Sequence, residues 1–168
     1  MMPYSLSELN QMSQETFVQV LGAVFEDTPA IAQKAWHKRP FADVAQLHQS
    51  MVDVVKALSQ DEQLALIKAH PDLGSKAKMA EASVREQDGV GMDRLTHQEY
   101  DRFVSLNQAY KDKFGFPFIV AVKNHTKASI LEAFEYRLKN TTEAEIKQAL
   151  TEISQIAEFR LSEIVTQS

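Results

Sequence analysis

Residues 142–164, TEAEIKQALTEISQIAEFRLSEI, decide the fold class of this 168-residue chain. Apolar residues recur through them at intervals of three and four, which is the spacing of one buried helix face. The stripe also contains one charged residue, and it consists of Ile146, Ala149, Leu150, Ile153, Ile156, Ala157, Arg160, Leu161 and Ile164. We predict a long final helix here, capped by Thr142 with Glu145 three residues later.

Helix signals of the same kind divide up the rest of the chain. Ser59 with Glu62 and Thr96 with Glu99 have the spacing of capping boxes, in which a hydroxyl and a carboxylate satisfy backbone N–H groups at a helix start. Residues 116–122, FPFIVAV, are the one strand-like run, and they have no second strand to pair with. We therefore predict an all-α fold without a sheet, a single-domain bundle of about seven or eight helices over residues 1–168. The run at 116–122 becomes a buried connection that is extended or partly helical.

Length and composition limit the class of protein. A chain of this size is usually one domain with a substantial core. The formal net charge of -5 comes without a basic stripe, which argues against nucleic-acid partners. The chain has no cysteine, which suits a reducing compartment, and we expect the cytoplasm. No apolar run approaches the roughly 18 residues of a membrane span, so we expect no membrane partner.

The stretch from His70 to Gly91, HPDLGSKAKMAEASVREQDGVG, departs from this helical patterning. His70 precedes a proline at the end of an apolar helix, where the helix dipole favours a protonated imidazole. Ser83, Glu86 and Gln87 follow in a short polar cluster, and these residue types suit proton transfer and hydrogen bonding. Two plainer interpretations stay open: His70 bonds the last helix carbonyls, and Ser83 with Glu86 forms only another capping box.

Arg160 is the charged residue inside the apolar stripe of the final helix. Because an unpaired buried charge is costly, a guanidinium at this position needs an anionic or carbonyl partner. One interpretation is a structural salt bridge, or a long side chain that reaches out to water. The other is a planar donor fork that binds a carboxylate or a ring carbonyl of a ligand.

Motifs for cofactor chemistry are missing from the sequence. There is no His-Glu-x-x-His, no phosphate-binding loop, no Gly-x-Ser-x-Gly elbow and no dinucleotide fingerprint. His70 and Asp72 alone are too few for a metal site. We therefore expect any catalysis to use acid–base groups and positioning, with no metal ion and no organic cofactor.

Several short motifs together resemble one family. They are HPDLG at 70–74, EQ at 86–87, LN at 106–107, KFGFPFI at 113–119, LGAVFE at 21–26, RPF at 39–41 and IAEFRL at 156–161. On these motifs the chain resembles the 2-oxo-4-hydroxy-4-carboxy-5-ureidoimidazoline (OHCU) decarboxylases of urate degradation. The likeness covers nearly the whole chain, and the pairing of HPDLG with KFGFPFI is specific. The departures from the family pattern concern pocket shape more than polar groups, and they stand at Ala30, Val90, Met92 and Asn124.

The resemblance implies an all-helical, usually dimeric enzyme that decarboxylates OHCU to S-allantoin without a cofactor. Carried over by motif, it implies that His70 is catalytic and that Pro71 lines the pocket beside it. Our hypothesis is that Glu86 orients His70 or delivers a proton to the product. The further residues that the resemblance implies for substrate binding are Ser83, Gln87, Phe118, Ile119, Val120, Ala121, Val122 and Arg160.

Two other functions stay open on the sequence. The HPDLG and FGFPF segments could form the groove of a helical interaction module without catalytic activity. The same residues could also serve a decarboxylase or tautomerase that acts on another ureido or imidazoline compound.

Overall fold

The computed structural model describes residues 3–71, 86–89, 91–92 and 94–166, and these residues are mostly helical, which confirms the all-α prediction. The α-helices are α1 (Leu6–Gln11), α2 (Gln14–Leu21), α3 (Ala30–Ala35), α4 (Val44–Ala57), α5 (Gln60–Lys68), α6 (His97–Phe114), α7 (Lys127–Arg137) and α8 (Thr142–Ile164). Residues 86–89 are also helical, and short 3-10 turns occupy Trp36–Lys38 and Val122–Asn124.

One pair of short strands corrects the prediction of no sheet. β1 (Tyr4–Ser5) and β2 (Val165–Thr166) run parallel, with Tyr4 opposite Val165. Two residues are too few for an alternating pattern to be visible in a sequence. The pair therefore had no signal from which it could be predicted.

The chain forms two compact units, and the first comprises residues 1–66 and 154–168. In this unit α3 packs against α2 and α4. Its core is aliphatic and aromatic, with fully buried side chains that include Leu9, Phe17, Leu21, Ile31, Leu47 and Met51. Phe41, which follows a cis Arg39–Pro40 bond, stacks on Phe17 with ring centroids 6.2 Å apart.

The second unit comprises residues 67–153 and has an aromatic core. α6 packs against α7 in this unit. The Phe118 ring stacks on the Phe134 ring at a centroid distance of 3.7 Å, and Tyr110 meets Phe118 edge to face at 5.3 Å. The helices α5 and α8 each have residues in both units. The prediction of a single domain stays a prediction.

Two of the three predicted capping boxes are confirmed. Ser59 and Glu62 exchange side-chain to backbone hydrogen bonds at 3.1 and 3.2 Å, and Thr96 and Glu99 do so at 2.9 and 3.1 Å. These boxes begin α5 and α6.

The third predicted box, Thr142 with Glu145, is wrong. The cap of α8 is Thr141, whose hydroxyl accepts from the backbone N–H of Ala144 at 3.2 Å. The Glu145 side chain is fully buried and has buried partners, so it does not reach back to the helix start. Among the helices that the structure describes, none is both long enough and apolar enough to span a membrane.

Candidate active site

His70 lies just beyond the end of α5. The helix stops at Lys68 because a residue that precedes a proline is disfavoured in the helical conformation. The backbone N–H of His70 donates to the carbonyl of Ile67 at 3.2 Å, which closes the last turn. The His70 side chain is buried, and Pro71 is half-buried. This imidazole is therefore held at a helix end, largely shielded from bulk water.

Glu86 and Gln87 belong to the helical turn at residues 86–89. Glu86 is half-buried and Gln87 is buried. The turn closes when the N–H of Met92 donates to the carbonyl of Gln87 at 2.9 Å. Gly91 has φ +86, a left-handed conformation that glycine adopts without strain. The predicted Ser83, and with it the possible box between Ser83 and Glu86, lies outside the described residues.

Residues 118–122 follow the end of α6 as a buried connection. α6 ends at Gly115, which has φ 81 and caps the helix in the left-handed conformation. The predicted connection is confirmed, because residues 118–121 lie outside helices and strands and Val122 opens a 3-10 turn. Each side chain in the run is at most 6% exposed, and the residues are Phe118, Ile119, Val120, Ala121 and Val122.

Side chains from α7 and α8 hold the backbone of this connection. Nη1 of Arg137 donates to the carbonyl oxygen of Ile119 at 2.6 Å. Oε1 of Glu152 accepts from the backbone N–H of Ala121 at 3.0 Å. Both side chains are buried, so the two bonds are shielded from competing water.

A buried carboxylate, Glu145, fixes Arg137 in turn. Its Oε1 accepts from Nε of Arg137 at 2.8 Å and from the hydroxyl of Tyr110 at 2.5 Å. Its Oε2 accepts from Nδ2 of Asn140 at 2.8 Å. Burial, and then the hydrogen bond to the Glu145 carboxylate, raise the pKa of Tyr110 well above its usual range, because both disfavour the phenolate.

Arg160 lies in the first unit, where it forms a buried ion pair. Nη2 donates to Oε2 of Glu26 at 2.9 Å, and Nη1 lies 3.3 and 3.4 Å from the carbonyl oxygens of Ala23 and Val24. Of the two interpretations left open by the sequence, the structural salt bridge is therefore confirmed. A role for the guanidinium in ligand binding stays a prediction.

The predicted site residues fall in both compact units. His70, Pro71, Glu86, Gln87 and residues 118–122 belong to the second unit, and Arg160 belongs to the first. Their assignment to one site stays a prediction. Among the described residues, no group of three or more His, Asp or Glu side chains is arranged to hold a metal ion.

The burial of four charged residues was not predicted from the sequence: Glu26, Arg137, Glu145 and Glu152. A usable signal existed for two of them. Arg137 lies three residues after the buried Phe134, and Glu152 lies between the buried Ala149 and Ile156, so both interrupt apolar stripes as Arg160 does.

Comparison with known proteins identifies the family. Residues 10–162 match the model of the OHCU decarboxylase family. The chain is 41% identical over 160 residues to a 2-oxo-4-hydroxy-4-carboxy-5-ureidoimidazoline decarboxylase of Halalkalicoccus jeotgali, covering 95% of this chain and 91% of that protein. It is 46% identical over 164 residues to the uric acid degradation bifunctional protein PucL of Bacillus subtilis, covering 98% of this chain. The chain spans only 33% of PucL.

Two solved structures have the same fold. A crystal structure of (S)-allantoin synthase superposes with a TM-score of 0.78 at 30% identity, covering 98% of this chain and 54% of that one. A crystal structure of OHCU decarboxylase in the presence of (S)-allantoin has the same fold, with a TM-score of 0.70 at 22% identity and coverage of 90% and 97%. Fold and sequence together define the class of this protein as an all-α domain of a known enzyme family. The chain belongs to the OHCU decarboxylase family.

Proposed function

We propose that this chain is a carboxy-lyase that converts OHCU into S-allantoin, a step in the degradation of urate. The observation that carries the proposal is the family match over residues 10–162, which includes the HPDLG and KFGFPFI motifs. The relatives named as decarboxylases support the same substrate. The OHCU decarboxylase crystallised in the presence of (S)-allantoin supports the product.

The chemistry of this substrate suits a site built from acid–base and hydrogen-bonding groups. The carboxylate that leaves is attached to a carbon that also carries a hydroxyl group and neighbours a ring C=N. When carbon dioxide leaves, the electron pair of the broken bond flows into that imine. The resulting enol must then receive a proton on one face, which requires an acid held in a fixed position. We therefore propose a reaction without an organic cofactor.

The roles proposed for individual residues follow the family motifs. His70 handles the proton of the 4-hydroxyl or carboxyl group, and Glu86 orients His70 or delivers the proton to C5. Arg160 binds a ring carbonyl or carboxylate. Gln87 and Ser83 bind the ureido arm, while Pro71 and residues 118–122 line the site. Burial of His70, Gln87 and the 118–122 segment supports these roles, since a water-poor site strengthens hydrogen bonds to the substrate.

The direct test is a rate measurement with OHCU generated in situ by enzymatic urate oxidation. Formation of S-allantoin is followed by circular dichroism, which separates catalysis from spontaneous racemic decay. We expect the wild-type protein to accelerate the reaction and His70→Asn to lose about 100-fold or more in rate.

A second histidine provides the matched control for this variant. His48 donates from Nε2 to the backbone carbonyl of Ser154 at 2.8 Å and has no proposed part in catalysis. His48→Asn should therefore keep its activity. A wild-type protein that does not accelerate the reaction would contradict the proposed function. A folded His70→Asn protein with near-normal activity would contradict the role of His70 alone.

We propose further that the enzyme acts as a homodimer. Val104 on α6 and Tyr136 on α7 are large apolar side chains exposed by 48% and 71%, and exposed apolar residues of this kind favour interfaces. Sedimentation velocity of the wild type and of Tyr136→Lys tests the proposal. A monomeric wild type would overturn it.

The cytoplasm is the compartment that we propose from the cysteine-free composition. Fractionation of cells that express the chain with an epitope tag tests this location. Recovery of the chain in a membrane or secreted fraction would contradict it.

A further inference from the structure

Two buried charged residues form hydrogen bonds with the backbone on either side of Val120. The carbonyl of Ile119 accepts from Nη1 of Arg137, and the N–H of Ala121 donates to Oε1 of Glu152. Hydrogen bonds in which one partner is ionised are shorter and stronger than neutral ones. Consecutive peptide groups are thus each fixed by one charged side chain, one of each sign.

These bonds also set the direction of the main-chain groups of Val120 itself. The peptide bonds before and after Val120 are trans. In a planar trans peptide the N–H points away from the C=O. Because Arg137 holds the carbonyl of Ile119, the N–H of Val120 points away from Arg137. Because Glu152 holds the N–H of Ala121, the C=O of Val120 points away from Glu152.

The N–H and C=O of Val120 form no hydrogen bond within the part of the chain that the structure describes. The hydrogen bonds that residues 118–122 form there involve the carbonyls of Ile119, Ala121 and Val122 and the N–H of Ala121. Val120 is only 5% exposed, and buried main-chain groups of native proteins normally have a partner. A donor and an acceptor on one residue match the adjacent N–H and C=O of a ring amide or a ureido group.

The ion pair of Arg137 with Glu145 is better explained by positioning of the backbone than by a contribution to stability. Replacement of a buried ion pair by apolar residues of similar volume is often neutral or stabilising. Nη2 of Arg137 is buried and has no hydrogen bond within the described residues. The desolvation of this group therefore lowers the contribution of the ion pair to stability. What an apolar pair cannot supply is a planar donor group held on one side by Glu145 and aimed on the other at the carbonyl of Ile119.

We infer that Arg137 and Glu152 are positioning residues that aim the main-chain N–H and C=O of Val120 at the substrate. The inference rests on the proposed function, because residues 118–122 bind substrate only under that proposal. It adds to the reaction two side chains that act through the backbone and do not touch the reacting atoms.

Three variants separate positioning from stability. Glu152→Ala removes the acceptor of the Ala121 N–H, whereas Glu152→Gln keeps an oxygen at that place. Arg137→Lys keeps a positive charge beside Glu145 but lacks the planar fork that reaches Glu145 and Ile119 together. If Glu152→Ala does not fold, Arg137→Lys carries the test.

The matched control removes similar side-chain to backbone hydrogen bonds elsewhere in the chain. Asn10 holds Phe41 by two bonds, from Nδ2 to the carbonyl at 3.1 Å and from the N–H to Oδ1 at 2.8 Å. Phe41 has no proposed contact with substrate. Asn10→Ala should therefore reveal what the loss of a side-chain grip on the backbone does to folding alone.

Steady-state kinetics on OHCU, with the folded fraction measured by circular dichroism, distinguish the outcomes. We expect KM to rise roughly 10- to 100-fold in Glu152→Ala and Arg137→Lys with little change in kcat, because a misplaced backbone weakens binding in both ground and transition states. Glu152→Gln should stay close to wild type. A purely structural role would instead lower kcat in proportion to the folded fraction and leave KM unchanged, as in Asn10→Ala.

Two failures can be told apart by the same measurements. If the wild type turns over OHCU but Glu152→Ala and Arg137→Lys keep a normal KM, the inference is overturned and the proposed function stands. If the wild type does not turn over OHCU, the proposed function is overturned and the inference falls with it.

Discussion

Nη2 of Arg160 lies 2.9 Å from Oε2 of Glu26, and the two side chains are 5% and 1% exposed. The pair is neutral as a whole, so Glu26 compensates the guanidinium charge before any ligand arrives. If Arg160 also binds substrate, it contributes directed N–H donors more than net positive charge. Glu26 would then determine the direction in which those donors point.

The Arg160–Glu26 pair predicts a large and asymmetric effect on stability. Glu26→Ala leaves a buried guanidinium without its carboxylate, and we expect a loss of about 3–5 kcal/mol in the free energy of unfolding. Glu26→Ala combined with Arg160→Met removes both charges and should recover most of that loss. Urea unfolding followed by circular dichroism measures both variants.

An exposed ion pair supplies the control for this comparison. Arg102 and Glu135 form a salt bridge with side chains 52% and 55% exposed. Glu135→Ala should cost no more than about 1 kcal/mol. A Glu26→Ala variant as mild as Glu135→Ala would show that the buried pair does not stabilise the fold.

Gly115 predicts a stability effect that is conformational alone. A Cβ atom at this position would meet no atom of the described residues within 4 Å, but φ is +81, a value that residues other than glycine rarely adopt. We expect Gly115→Ala to cost about 1–2 kcal/mol and to lower the melting temperature by several degrees. The effect matters for the site because Gly115 ends α6 just before residues 118–122.

Gly89→Ala is the matched control for Gly115→Ala. A Cβ atom at Gly89 also meets nothing within 4 Å in the part of the chain that the structure describes, and the φ of Gly89 is not positive. Gly89 ends the helical turn at residues 86–89, where alanine is favoured over glycine. Thermal unfolding should therefore show no loss for Gly89→Ala. Equal destabilisation by both substitutions would contradict a conformational origin.

The helices were predictable because local sequence encodes them. The 3.6-residue periodicity predicts the final helix as far as its last residue, Ile164. The Ser59 and Thr96 capping boxes predict the starts of two further helices. The lack of a partner strand was enough to predict the buried connection at 116–122. The helix signals lie within a few residues of the helices that they predict, whereas the lack of a partner strand is a property of the whole sequence.

The partner of Arg160 was not predictable, since it lies far away in the sequence. Arg160 was recognised as anomalous, but Glu26 lies 134 residues before it. The burial of Glu145 was missed for a different reason: we interpreted Glu145 as part of a capping box, and that interpretation was wrong. The contact with Tyr110 that replaces the box spans 35 residues. Local patterns can therefore mark a residue as unusual without revealing what it binds.

Glu99 predicts a stability contribution that disappears in acid. The pKa of Glu99 is lowered because the backbone N–H of Thr96 donates to the carboxylate and Lys127 lies 3.3 Å from it. A lowered pKa stabilises the fold at neutral pH, above the unfolded value of about 4.3, and the stabilisation is lost as pH falls through the lower folded value. Glu99→Gln should therefore melt below wild type at neutral pH, and the gap should shrink as the solution is acidified.

Thr96→Ala distinguishes this titration from the loss of a cap. In the wild type the Thr96 hydroxyl accepts from the backbone N–H of Glu99 at 3.1 Å, and a hydroxyl does not titrate in acid. The melting temperature of Thr96→Ala should stay below that of wild type throughout the acid range. If the gap for Glu99→Gln also persisted, the carboxylate charge would not be the cause.

Tyr110 predicts a stability effect of the opposite sign, in alkali. The pKa of Tyr110 is raised by burial and by the hydrogen bond to Glu145. A raised pKa stabilises the fold fully below the unfolded value of about 10, and the stabilisation is lost as pH rises toward the folded value.

We expect Tyr110→Phe to lose about 1.5–3 kcal/mol at pH 7, with the gap to wild type narrowing above pH 10 in urea unfolding. Tyr4→Phe removes a hydroxyl for which the structure describes no hydrogen bond, and it should change stability at pH 7 by no more than about 0.5 kcal/mol. A gap for Tyr110→Phe that stays constant into alkali would contradict a buried, protonated hydroxyl.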